Sequence, residues 1–284
     1  TATIEWSQTF DGTADLTVTG TNACGDGPTS TALSITVDII PEPAITGDDA
    51  ACQNDTLFYG TPSNAGCSYS WTIAGGTIVN GSGTNEVSVV WDSWGGCELT
   101  VTETNGTSGC AGTTAPFVVT VAESPQPEIT GTEVVCEQEE GATYATTENA
   151  GNTYNWSITG GTIESGQGTH EITVNWGTYG TGTVELTETN ANACNGYAET
   201  FEVEIMEIPQ AEAGDDVSIP NGTATQLYGS ATGGSGSYSF HWEPADKLLD
   251  PNVAEPQTTE LDATTVFTLE VSDNTGGCAG TDQV

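Results

Sequence analysis

Apolar and polar positions alternate along most of this chain in short runs. Tyr69, Trp71 and Ile73 share one face of such a run, as do Tyr154, Trp156 and Ile158, and then Tyr238, Phe240 and Trp242. A second run carries Val87, Val89 and Trp91, echoed by Ile172, Val174 and Trp176 and by Ala2, Ile4 and Trp6. A third carries Leu99 and Val101, then Val184 and Leu186, Leu16 and Val18, and Leu269 and Val271. The last carries Phe117, Val119 and Val121, then Phe201, Val203 and Ile205, and Leu33, Ile35 and Val37. The positions between them are mostly Thr, Ser, Glu and Asn. A period of two with one dry face predicts half-buried β-strands, and several such strands per unit predict two packed antiparallel sheets.

The runs return at a fixed interval. Trp6, Trp91 and Trp176 are 85 residues apart, Trp71 and Trp156 repeat that step, and Trp242 follows after 86. Whole phrases move with them: Trp71-Thr72-Ile73-Ala74-Gly75-Gly76 returns as Trp156-Ser157-Ile158-Thr159-Gly160-Gly161, and Thr102-Glu103-Thr104-Asn105 as Thr187-Glu188-Thr189-Asn190. A period of this length is one small domain, so the fold class read from the sequence is all-β, a tandem array of antiparallel sandwiches. Residues 1–40 hold only the later strands of a first repeat, 41–123 and 124–207 are complete repeats, and 208–284 are a fourth that lacks its last strand. The joints, Pro41-Glu42-Pro43, Glu123-Ser124-Pro125-Gln126-Pro127 and Ile208-Pro209-Gln210, contain proline and no glycine, which predicts semi-rigid connections and a stiff, extended array. The chain begins at Thr1 within a repeat and stops at Val284 within another, as expected of a processed piece or a window of something longer.

Charge narrows the partners. Forty Asp and Glu face a single basic residue, Lys247, for a formal net charge of -39. Nothing can neutralise nucleic-acid phosphates or an anionic membrane surface, and no apolar run is long enough to insert into a membrane. The carboxylates rely on dissolved or bound cations, so stability is expected to rise with salt or divalent ions.

Eight cysteines point to an oxidising compartment. Cys52 and Cys136 are matched positions, as are Cys110 and Cys194. The simplest framework is Cys52–Cys110 and Cys136–Cys194, with Cys67–Cys97 as an extra bridge. Cys67 and Cys97 precede strands expected to run antiparallel side by side, which would separate them, and Cys67–Cys110 with Cys52–Cys97 is the alternative. Cys24 and Cys278 have no partner within their partial repeats.

At the tryptophan phrases the chain resembles the PKD-like and immunoglobulin-like repeats of secreted bacterial surface proteins. Ile45-Thr46-Gly47 with Cys52, and Ile129-Thr130-Gly131 with Cys136, are similar to openings of that family. Ala213-Gly214-Asp215-Asp216, Trp242-Glu243-Pro244 and Leu248-Leu249-Asp250-Pro251 resemble a related repeat of long Bacteroidota surface proteins, with Pro220 where that repeat usually has Cys. The resemblance implies an immunoglobulin-like fold, export and a place in a giant adhesin, gliding-motility adhesins among them.

Candidate chemistry is sparse. The in-phase tryptophans read as core, whereas Trp94, in a Gly-rich turn with Tyr179 and Phe10 as looser counterparts, is the candidate contact for a glycan or a partner, with turn packing as its other role. The two histidines, His170 and His241, recur in no other repeat and no nucleophile motif surrounds them, so no enzyme or resident cofactor is expected. Acids gather at the joints, making Glu42, Asp48, Asp49, Glu207, Asp215 and Asp216 weak candidates for calcium. The expected role is structural: a stalk, fibre or shaft of an extracellular or cell-surface adhesin, whose partners are neighbouring copies or further repeats of the same chain. A glycan- or protein-binding module, or a spacer within a large secreted hydrolase, are the other readings.

Overall fold

A computed structural model describes residues 2–7 and 9–284. The chain divides into two compact units, Thr1–Ser124 and Pro125–Val284. Among the described residues the regular structure is entirely strand apart from one 3-10 turn, Ala245–Lys247. Among the described residues no helix is long and apolar enough to cross a membrane.

In the first unit, the complete repeat packs two sheets. One is the antiparallel set Thr56–Gly60, Glu86–Val90 and Thr77–Asn80. The other is organised by the long strand Gly95–Asn105, which pairs with Cys67–Ala74 on one side and with Phe117–Ala122 and Ala111–Thr113 on the other. Ala50–Cys52 then joins the edge, parallel to Phe117–Ala122. The alternating apolar positions meet between the sheets: Tyr59, Trp71, Val87, Val89, Trp91, Leu99, Val101, Val119 and Val121 form one buried cluster.

The second unit repeats this plan and adds a related repeat. Glu171–Trp176 lies between Ala142–Ala145 and Gly161–Ser165, facing a sheet in which Gly180–Thr189 pairs with Thr153–Thr159, Phe201–Met206 and Asn195–Tyr197. Val134–Cys136 runs parallel to Phe201–Met206. Repeat four pairs Tyr238–Glu243, Thr268–Asp273 and Ala279–Gln283, with a separate cluster centred on Trp242, Leu269 and Val271.

The indoles of the tryptophan strands sit in equivalent surroundings. Trp71 Nε1 donates to the Thr84 carbonyl at 2.8 Å, Trp156 Nε1 to Thr169 at 2.8 Å, and Trp242 Nε1 to Val253 at 3.2 Å. Each polar handle finds a loop carbonyl while the ring fills the core, which is how a buried indole is satisfied.

Residues 1–40 depart from expectation. Gly12–Leu16 pairs with Leu33–Val37, and Thr19–Asn22 with Gly25–Thr29, but Ala2, Ile4 and Trp6 form no strand. Trp6 is 40% exposed, whereas its counterparts Trp91 and Trp176 are 0% and 3% exposed. In repeat two that strand is held between Thr56–Gly60 and Thr77–Asn80. Residues 1–40 supply no counterpart of either neighbour, so alternation alone does not make a strand here.

Candidate functional site: the joints between repeats

Each sandwich has two poles, and the strand directions decide what stands at each. At the downstream pole, where the chain leaves, Val121 and Ala122 stand beside Ala51 and Cys52, and Ile205 and Met206 beside Val135 and Cys136. At the upstream pole, hairpins follow Asn105, Thr189 and Asp273, and these carry Cys110, Cys194 and Cys278.

This placement overturns the disulfide framework expected from the sequence. Cys136 pairs with Cys278, not with Cys194, at a Cα–Cα distance of 5.6 Å and across 142 residues of chain. Cys136 and Cys194 lie at opposite poles of one sandwich, separated by the ten-residue strand Gly180–Thr189, roughly 30 Å at the usual rise per residue. Cys52–Cys110 is excluded in the same way: Cys52 is disulfide-bonded, but Cys110 carries a free thiol. Cys194 is also disulfide-bonded. Cys67 and Cys97 are both free, ruling out their mutual bridge, because Cys67 pairs across from Asn105 while Cys97 lies beyond Ala74 at the other end of the same ladder. The alternative pairs Cys67–Cys110 and Cys52–Cys97 fail as well, since Cys67, Cys97 and Cys110 are all free. Burial raises the thiol pKa of both Cys67 and Cys97, with Glu103 adding to the rise at Cys67 and Asp92 at Cys97. Both are therefore poor nucleophiles.

Around the bridge, the joint between repeats three and four is closed by backbone and side chains together. Glu137, next to the bridged cysteine, accepts the Ile208 N–H at 3.1 Å and the Tyr179 N–H at 3.4 Å. At the end of repeat three, Glu207 accepts the Gly234 N–H at 2.8 Å. The next residue, Ser235, gives its N–H at 2.5 Å and its hydroxyl at 2.8 Å to Asp273, which also accepts the Thr275 N–H at 2.7 Å. These backbone donors, Ser235 first, hold the Asp273 carboxyl down at about 2. Met206 lies against Gly276, where a Cβ would come within 2.7 Å of Met206 Cγ.

A second feature recurs three times. A Cβ at Gly112, Gly196 or Gly280 would fall 1.7, 2.0 or 1.9 Å from the carbonyl oxygen of Pro41, Pro125 or Pro209. Each linker proline is thus laid directly on a strand of the repeat that follows it, so the linker is fixed to the next domain.

Sequence reasoning missed the buried carboxylate at the upstream poles of repeats two, three and four. Glu103, Glu188 and Asp273 are 1%, 1% and 2% exposed and stand across from Tyr69, Tyr154 and Tyr238. Glu103 accepts from Asn64 at 2.7 Å; Glu188 accepts from Asn149 at 2.9 Å and Asn152 at 2.6 Å. For Glu103 and Glu188 the signal was the repeated phrase Thr-Glu-Thr-Asn, which serves as more than a marker of phase; Asp273 sits in the looser copy Ser272-Asp273-Asn274.

The acids singled out for calcium do not converge. Among the described residues no three His, Cys, Asp or Glu gather as a metal site. Glu207 is committed to Gly234, while Glu42, Asp48, Asp49, Asp215 and Asp216 are exposed. Trp94 and Tyr179 occupy equivalent turns, each 60% exposed.

Two stacked antiparallel sheets, repeated in tandem and pinned by recurring tryptophans, define a string of immunoglobulin-like modules. The profile of the PKD-like domain matches residues 39–119 and 122–204, more than half of the chain, and the chain belongs to that family. No curated protein matches it. Among solved structures it is similar to the D1–D4 ectodomain of ICAM-5, at 10% identity and TM-score 0.40 over 96% of this chain and 82% of that one. It is also similar to the three N-terminal domains of the bacteriophage RB49 outer capsid protein Hoc, at 14% identity and TM-score 0.33 over 84% and 96%. Extracellular domains 3–5 of Drosophila OTK give 12% identity and TM-score 0.29 over 84% and 93%.

Proposed function

We propose that this chain is a shaft segment of an extracellular bacterial surface protein, an adhesin stalk or filament, and that its work is mechanical, not enzymatic. The observation that carries this reading is the closed joint. A linker laid on the following repeat, a carboxylate holding the linker's own backbone and a disulfide spanning two modules suit a part that sets reach and stiffness. Disulfides and near-total lack of cationic side chains fit life outside the cell. Neighbouring partners would be further repeats of the same kind. Gold-labelled antibody against repeat three, applied to intact producing cells, is expected to mark structures standing off the envelope; label confined to the cytoplasm would refute the reading.

A second reading, a glycan- or protein-binding module, is favoured by one feature, the matched exposure of Trp94 and Tyr179. A glycan array on the wild type and on the Trp94→Ala/Tyr179→Ala variant separates the two: binding lost in the variant supports recognition, and silence in both supports the shaft.

A further inference from the structure

The Cys136–Cys278 bridge does more than stabilise one domain, because its two ends belong to successive modules. Cys136 lies near the start of repeat three, at its downstream pole beside Met206, and Cys278 lies in the upstream hairpin of repeat four. Most of both sandwiches falls inside the closed loop. Tension reaching Cys136 from upstream has a covalent shortcut through the two sulfurs to Cys278, and the residues between them need not stretch. We propose that this bridge is an extension cap: under load applied between the residues just before Cys136 and the C-terminus, repeats three and four can lose their fold without lengthening that segment while the disulfide is intact. The usefulness of such a cap rests on the shaft reading; its existence does not.

The surroundings shield one end of the cap. Cys278 is 1% exposed and Met206 packs against Gly276 beside it. Cys136, only half-buried, is the more accessible of the two cysteines. When a dithiol does reach it, one thiolate attacks the protein disulfide to give a mixed disulfide, and the second closes the reagent's own ring. Both protein cysteines leave as thiols carrying the two protons, and the reagent is oxidised by two electrons.

The test is optical-tweezer extension of the full chain between an azide-bearing residue placed at exposed Glu128 and a tag at the C-terminus. The capped span of 142 residues corresponds to about 47–51 nm of extended chain. The oxidised protein is expected to lengthen by only about 5 nm, from the short flanks outside the bridge. In dithiothreitol, at the same forces, the gain is expected to approach the full value. The Cys136→Ser/Cys278→Ser variant is expected to give the long extension without reductant, with circular dichroism and tryptophan emission reporting that its repeats are folded before pulling. An oxidised chain that releases the long extension overturns the cap. So does a reduced chain that stays short at forces where the variant is fully extended. Failure of the surface label would remove the shaft reading and leave this result standing, so the two can fail separately.

Discussion

At the scale of single residues, the recurring indoles and the acids at the upstream poles divide the work. Trp156 is 3% exposed, and truncating it removes a ring from the middle of repeat three. Trp156→Ala should cost about 3–5 kcal/mol, read as a lowered denaturation midpoint for that repeat. Trp94→Ala, at a 60% exposed turn position, should stay within about 0.5 kcal/mol of wild type. The Asp273 carboxyl gives a pH signature. Its folded value of about 2 lies below the ordinary 3.8, so the stability it contributes is present above pH ~4 and is lost as pH falls through ~2. Acid titration followed by near-ultraviolet circular dichroism should show repeat four weakening in that window, and Asp273→Asn should remove the pH dependence there. At the alkaline end burial pushes the Tyr144 phenol up to about 12, so repeat three should lose stability as pH rises from ~10 through ~12.

At the scale of elements, strands and core were legible because alternation reports which side of a strand is dry, and nearly every such run in repeats two and three became a strand. Cysteine pairing was not. Matching Cys136 with Cys194 assumed that both stood at one pole, but Val134–Cys136 joins the sheet edge parallel to Phe201–Met206, and that choice carries Cys136 to the other end. Side-chain pattern fixes the face of a strand, not the edge it occupies or its direction there. The buried carboxylates were hidden for another reason: with forty acids in the chain, Glu188 looked like any other, and only the register opposite Tyr154 distinguishes it. The linker cradle is similarly a matter of packing. Gly280→Ala would place a carbon 1.9 Å from the backbone oxygen of Pro209, so the linker must move. Nitrogen-15 relaxation should then report greater independent tumbling of repeat four, while its core signals keep their dispersion.

At the scale of the molecule, a formal net charge of -39 with a single lysine, paired with Asp246 at 3.8 Å, leaves self-repulsion almost uncompensated by internal ion pairs. Melting temperature should rise as sodium chloride is added, by screening, and should depend on ionic strength more than on the identity of the divalent ion, since no carboxylate cluster awaits one among the described residues. The bridge across repeats three and four also acts at this scale. Closing so long a loop is worth on the order of 2–5 kcal/mol in the chain-entropy description, and its loss should destabilise both modules together.

Whether repeats three and four are clamped to one another or merely strung together is tested most directly by the bridge between them. Non-reducing peptide mapping reads it directly; trypsin has only Lys247 to cut, so a protease acting after acidic or aromatic residues is needed. The peptide bearing Cys136 should be recovered linked to the peptide bearing Cys278. Recovery of Cys136 linked to Cys194 would make repeat three a self-contained link and would contradict the closed joint.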